Sequence, residues 1–199
     1  MTADPLDRLR RAMTQPGGES SDFDLNPDFR LPEGRVSRPA AVLLAVRGRG
    51  PKAEVILTKR SSRLRHHPGQ IALPGGKQDP GDADPVAAAL REAQEEINLD
   101  AGCIDVIGTM PLHETVTGFS ITPVIGLLHR EFECVPEAGE VDEVFSAPLT
   151  HLLDPSNYAV QSRLWQGHER RYYTVPYGPY YIWGATARIL RALADRASP

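Results

Sequence analysis

The sequence predicts an α+β fold in which helices cover both faces of a mixed β-sheet, an α/β/α sandwich. Three observations predict it. Short apolar, β-branched runs recur along the chain, at 41–46, 53–57, 104–110, 121–128 and 172–175. Two other segments, 84–98 and 180–196, carry their apolar residues at helical spacing instead. Strands and helices do not alternate strictly, as a doubly wound parallel sheet would require. The 199 residues are enough for one domain with a substantial core.

Each element has its own local reason. Leu6, Leu9 and Met13 recur at helical spacing within Asp4–Thr14, a short amphipathic helix. Residues 15–39 are rich in Gly, Pro, Ser and Asp. They read as an irregular arm that wraps the domain or links the first helix to it. Residues 1–37 thus form an N-terminal helix and arm, and 38–199 the main domain. Ala41–Val46 reads as a buried strand, Gly48–Lys52 as a turn and Ala53–Leu57 as a second strand. A loop leads to the short apolar piece Ile71-Ala72-Leu73. Asp84–Asn98 is the clearest helix: Asp84 suits the N-cap and Pro85 the first helical position. Val86, Leu90, Ala93 and Ile97 form its apolar stripe. Strands follow at Ile104–Met110, Ile121–Leu128 and Tyr172–Val175. A final amphipathic helix spans Tyr180–Arg196, with Ile182, Ala185, Ile189, Leu190 and Leu193 on one side.

Composition excludes several classes. Apolar residues are 41% and charged residues 24%, a globular balance rather than a disordered one. The apolar run Ala40–Val46 falls far short of the roughly 20 residues a membrane span needs. The net charge of −4, from 22 cations against 26 acids, is the wrong sign for a general nucleic-acid binder. Cys103 and Cys134 form no CxxC motif, and the N-terminus shows no secretory signal, so a cytoplasmic protein is expected.

The helix at 84–98 carries chemistry. Glu92, Glu95 and Glu96 fall within an arc of roughly 100°, on a different side from the apolar stripe. Three carboxylates so placed repel one another, and a hard divalent cation such as Mg²⁺ or Mn²⁺ would relieve the repulsion. The plain alternative is a solvated acidic face with an Arg91–Glu95 ion pair. Just upstream, Leu73-Pro74-Gly75-Gly76-Lys77 holds a glycine pair that permits close backbone approach to a ligand. It is not a Walker A loop, because Gln78 follows Lys77. The turn Asp79–Asp84 lacks the glycine and glutamate spacing of an EF-hand. A cationic cluster, Lys59, Arg60, Arg63, Arg65, His66 and His67, precedes this segment. It reads either as a clamp for phosphates or as a solvated loop. The histidine pair has no cysteine or third histidine near it in sequence, which argues against zinc.

Gly76–Leu99 resembles the Nudix box, in which a glycine leads to an acidic residue and then to R-E-U-x-E-E-x-G-U, U being apolar. Arg91, Glu92, Ala93, Glu95, Glu96 and Leu99 match. Asp82 stands where the family usually has glutamate, the spacer to Arg91 is one residue longer, and Asn98 replaces the box glycine. The last change is mild, since asparagine follows glycine in preference at a left-handed helix cap. The preceding segment, Ile56-Leu57-Thr58-Lys59-Arg60-Ser61 with Arg65, Gly69 and Leu73-Pro74-Gly75-Gly76, is similar to the extra motif of the coenzyme A pyrophosphatase branch. Ile56 and Leu73 stand there for Leu and Phe, and the tail Ile182–Ala187 is similar to that branch as well.

The resemblance implies a Nudix fold and hydrolysis of a diphosphate by Mg²⁺ or Mn²⁺. It implies that Glu92 and Glu96 hold the ion, that Glu95 holds a second ion or orients water, and that the Gly75 carbonyl is a further ligand. Arg91 would orient the glutamates, and Asp82 would either brace the loop or serve only in the turn. Lys59, Arg60, Arg65, Gly75 and Gly76 would meet the substrate. For the general base, Glu140 and Glu143 in a distal loop are candidates, with surface charge as the competing role; His113 and Glu114 are weaker ones. Phe119, Tyr172 and Trp183 are candidate pocket walls and equally candidate core residues. The implied substrate is coenzyme A, cut to 4′-phosphopantetheine (or its acyl form) and adenosine 3′,5′-bisphosphate. The alternatives are another nucleoside diphosphate derivative (ADP-ribose, NADH or a nucleoside triphosphate) and a non-catalytic nucleotide-binding domain. A small-molecule partner is expected, without nucleic acid or membrane. Monomer and homodimer remain open.

Overall fold

In the computed structural model, residues 4–28, 34, 36–165 and 167–198 are described. The chain begins with helix α1 (Pro5–Thr14) and a two-residue strand β1 (Ser20–Ser21). The strands β2 (Arg38–Arg47), β3 (Glu54–Arg60), β4 (Ile71–Ala72) and β5 (Gly75–Lys77) precede helix α2 (Pro85–Ile97). Then come β6 (Ile104–Thr109), β7 (His113–Glu114), β8 (Phe119–Leu128) and β9 (Val141–Pro148). A single turn of helix, α3 (Leu149–Leu152), leads to the hairpin β10 (Ala159–Trp165) and β11 (His168–Thr174). Helix α4 (Gly184–Ala197) closes the chain.

Among the described residues, nine strands join in one mixed sheet. β2 lies at its centre, parallel to β8 from Arg38↔Phe119 to Val46↔Leu127 and antiparallel to β3 and β5. Alternation along β2 sends its side chains into two cores. Ala41, Leu43 and Ala45 pack under α2 with Ala89, Ala93 and Ile97. Leu44 and Val46 face the other side, where Leu9 and Ala12 of α1 join Ile189, Leu190 and Leu193 of α4. This is the expected α/β/α sandwich. Helix α1 thus shares a core with α4.

α2 ends as its sequence demands. The Asp84 carboxylate accepts the Ala87 N–H at 2.8 Å, and Asn98 takes the left-handed conformation at φ 61°. Three expectations need correction. The arm is not wholly irregular: β1 pairs in parallel with β7, Ser20 opposite His113. Residues 29–33 and 35 of the arm lie outside the described residues. The C-terminal helix starts at Gly184, not Tyr180, because Tyr177↔Tyr180 and Thr174↔Trp183 bridges keep the preceding segment extended. Most of the acidic segment 138–145 is not a loop either. It forms β9, whose Val144 and Glu143 pair with Thr58 and Lys59.

Candidate active site

The site begins with how β5 meets α2. Gly75 has φ 150°, and its N–H donates to Glu96 Oε2 at 3.1 Å. A Cβ on Gly75 would run into the Ala41 carbonyl and the Val42 backbone. A Cβ on Gly76 would sit 2.5 Å from the Glu92 carboxylate. The two glycines therefore let the strand pass directly against the acidic face of the helix.

Arg91 organises that face. Its Nε and Nη2 each lie 3.0 Å from an oxygen of Asp82, and Nη2 also donates to the Lys77 carbonyl at 3.0 Å. Its Nη1 reaches Glu92 at 3.1 Å and Glu95 at 3.0 Å. Asp82 in turn accepts the Asp79 N–H at 2.8 Å, so one guanidinium ties the turn, β5 and two glutamates together.

The three glutamates differ in exposure. Glu95 is 59% exposed, Glu92 is 17% exposed, and Glu96 is nearly buried at 4%. Burial pushes the Glu96 carboxyl up to about 7, more than the Gly75 N–H and the Arg60 guanidinium 4.0 Å away bring it down. Burial also raises Glu92, against the pull of Arg91. Glu140 adds like-charge repulsion to both. Buried carboxylates whose ionised forms are not fully compensated are a donor set that a hard divalent cation would stabilise. Among the described residues no three acidic, histidine or cysteine side chains already converge on one point. Arg91 holds Glu92 and Glu95, while Glu96 turns to Gly75.

Beside this helix lies a cavity of about 740 Å³. Five cations line it, Arg38, Arg60, Lys77, Arg163 and Arg170, against one carboxylate, Asp22. In a chain of net charge −4 this concentration is strong. Phe119, Trp183 and the first turn of α4 complete the wall. Arg60 belongs to both places, because it lines the cavity and reaches Glu96. Its Nε is buried without a hydrogen-bond partner among the described residues.

The structure divides the sequence candidates. It brings Arg60, Gly75, Gly76, Arg91, Glu92, Glu95 and Glu96 together. Lys59 and Arg65 do not line the cavity. Lys59 sits within the sheet opposite Glu143, and Arg65 is exposed on the loop after β3. Arg63 is tied to the Ala138 carbonyl. Glu140 is exposed at the start of β9 and faces the helix carboxylates. Glu143 instead accepts the Tyr180 hydroxyl. His113 is fully buried, with Nδ1 3.0 Å from the Ser20 hydroxyl and Nε2 3.6 Å from Asp22. It anchors the arm, away from the acidic helix. Phe119 and Trp183 do line the cavity, and Tyr172 packs edge-on against Trp183 at 5.2 Å.

Sequence reading missed Arg38, Arg163, Arg170 and Asp22. Asp22 lies 2.9 Å from Arg170 and accepts the Val116 N–H at 3.0 Å. Burial raises its carboxyl, but the neighbouring His113, the Val116 N–H and Arg170 together take it below the usual carboxylate range.

Comparison with known proteins adds to the geometry. A NUDIX domain model matches residues 36–165. The chain is 41% identical over 157 residues to an uncharacterized Nudix hydrolase NudL of Enterobacter sp. (strain 638), covering 79% of this chain and 81% of that protein. The NudL of Cronobacter sakazakii is 43% identical over the same length and shares. Among solved structures, the MutT protein from Methanosarcina mazei Go1 shares the fold with a TM-score of 0.52 at 20% identity, over 83% of this chain and 97% of that one.

Proposed function

This chain belongs to the Nudix hydrolase family, whose members cut pyrophosphate bonds and generally use divalent metal ions, and from that premise we propose that it hydrolyses the diphosphate of coenzyme A and its close derivatives. The products are 4′-phosphopantetheine, or its acyl form, and adenosine 3′,5′-bisphosphate. The observation that carries the reading is the continuity between the acidic helix and the cationic cavity through Arg60. The segment 56–76, similar to the coenzyme A pyrophosphatase motif, supplies that arginine and both glycines.

Glu92 and Glu96, with Glu95 and the Gly75 carbonyl, would hold Mg²⁺ or Mn²⁺, which would supply charge stabilisation at the phosphate oxygens and make water more acidic. The protein's own groups do the rest. Arg91 positions Glu92 and Glu95 through the bonds to Asp82 and Lys77. Arg60 and Lys77, which line the cavity and also contact residues of α2, meet the diphosphate. Phe119 and Trp183 offer ring faces for an adenine. Glu140, exposed and facing the helix carboxylates, accepts the proton of the attacking water; Glu143 is occupied by Tyr180. Lys59 and Arg65 have no contact role in this reading. No helix among the described residues is long and apolar enough to cross a membrane.

Mass-spectrometric product analysis with coenzyme A, ADP-ribose and NADH, each with Mg²⁺ or Mn²⁺, tests the proposal. Release of 4′-phosphopantetheine and adenosine 3′,5′-bisphosphate, with the other two substrates slow, is the expected result. Silence on coenzyme A with turnover of another substrate refutes the substrate assignment. Tight binding without turnover in saturating metal refutes catalysis.

A further inference from the structure

We infer that Arg38 and Arg163, together with Arg170, form a second anion subsite in the cavity, one that takes a phosphate monoester carried by the substrate apart from its diphosphate. The inference rests on the diphosphatase reading above and names the feature by which the substrate is selected.

The cavity holds more positive charge than a diphosphate needs. Arg60 and Lys77 are the lining cations tied to α2, since Arg60 reaches Glu96 and the Lys77 carbonyl is bonded by Arg91. The other three cations come from different segments. Arg38 starts β2, while Arg163 and Arg170 face each other across the β10–β11 hairpin as register partners. Each is pre-set in its own way. The Arg38 guanidinium lies 4.1 Å over the Phe119 ring, with Nη2 3.3 Å from the Thr117 carbonyl. The Arg163 guanidinium lies 4.4 Å over the Trp183 ring. A stacked guanidinium gives its flat face to the ring and keeps its edge N–H groups for another acceptor. Phosphate oxygens match that edge, two at a time. Arg170 is held by Asp22 at 2.9 Å.

Among the described residues neither Arg38 nor Arg163 has a carboxylate partner. Their charges therefore stand uncompensated beside two aromatic rings. A nucleoside held in the cavity that these residues line would carry a ribose phosphate to these arginines. The ligand class is a nucleoside diphosphate derivative with a separate phosphomonoester on its ribose. Asp22 is a positioning residue here: it neutralises Arg170 in part and fixes it. The N-terminal arm thereby becomes part of the selective wall.

The test uses the full chain and two nucleotide probes, adenosine 3′,5′-bisphosphate and adenosine 5′-monophosphate, by calorimetry. A charge-assisted contact predicts roughly 10- to 100-fold tighter binding of the bisphosphate by the wild type. Arg38→Gln and Arg163→Gln are exposed changes that leave the cores untouched. Each is expected to shrink that ratio by about tenfold, and Arg163→Lys to restore part of it. Equal binding of the two probes by the wild type, or an unchanged ratio in both variants, overturns the subsite. Steady-state rates on coenzyme A and 3′-dephospho-coenzyme A separate the two claims. A KM raised for the dephospho form in the wild type but not in the variants supports both. Bisphosphate selectivity that the variants lose, without turnover of either coenzyme, keeps the subsite and refutes the substrate reading. Turnover of both coenzymes with one KM keeps diphosphate hydrolysis and refutes the subsite.

Discussion

The adjacent glycines Gly75 and Gly76 offer a sharp test, because the structure gives them different reasons for existing. At Gly76 a Cβ would meet only the end of the Glu92 side chain, with Cδ and Oε2 both 2.5 Å away. That end can swing aside. The fold should lose no more than about 1 kcal/mol, or roughly 2–4 °C in melting temperature for a chain of this size. The Glu92 carboxylate, however, must leave the place where β5 and Arg91 hold it. A displacement of about 1 Å at such a site costs on the order of 100-fold in turnover. At Gly75 the same methyl meets the backbone of Ala41 and Val42, the latter Cα at 2.6 Å, at a φ of 150°. Backbone at the sheet centre cannot swing aside. The expected cost is about 3 kcal/mol, a fall of roughly 6–12 °C. Gly76→Ala should therefore be a stable, inactive protein, and Gly75→Ala an unstable one. Thermal denaturation beside initial rates with Mg²⁺ reads both. Near-normal turnover in Gly76→Ala, or a wild-type melting temperature in Gly75→Ala, refutes the reasoning.

Other outcomes follow from the same geometry. Arg91→Gln removes the link among Asp82, Glu92 and Glu95, and turnover should fall by roughly 10- to 1,000-fold while most of the secondary structure remains; circular dichroism and rates check this. Glu96→Gln replaces a desolvated carboxylate with a neutral group, so the metal-free variant should be at least as stable as the wild type at neutral pH. Mg²⁺ at about 100 times its Kd should raise the wild-type melting temperature by roughly 5–10 °C, by linkage, and should leave Glu96→Gln nearly unmoved; differential scanning calorimetry with and without a chelator decides it. Asp22→Asn should lower stability at neutral pH by about 2 kcal/mol, because Arg170 and the Val116 N–H lose a charged acceptor. The Asp22 carboxyl is held below its ordinary value, so this advantage is present above that value and vanishes as pH falls through the lowered one. Melting curves of the two proteins should converge at acid pH.

What the sequence made legible was what local geometry determines. α2 was readable end to end, from the Asp84 cap to Asn98, because capping and a 3.6-residue period are properties of neighbouring residues. Its three glutamates shared a face for the same reason. β9 escaped notice because Val141–Pro148 carries acids at its open end and takes its strand geometry from β3. β5 escaped because Gly-Gly-Lys has no strand propensity and is extended only by pairing with Ala40–Val42. The described side chains of β10, residues 159–164, are all exposed, so no core-facing alternation marks it. The cationic clamp was sought within one loop, 59–67. In the folded chain only Arg60 and the two histidines of that loop line the cavity. The remaining positive charge arrives from β2, from β5 and from the hairpin, whose arginines lie more than a hundred residues beyond β2. No local pattern encodes such a juxtaposition; sheet topology does.

The most direct measurement is chromatographic product analysis on coenzyme A with wild-type protein and Glu96→Gln side by side, in Mg²⁺ and again in chelator. The wild type with Mg²⁺ should release 4′-phosphopantetheine and adenosine 3′,5′-bisphosphate in equal amounts, with almost none in chelator or from Glu96→Gln. Intact coenzyme A in every sample, or undiminished cleavage by Glu96→Gln, would contradict it.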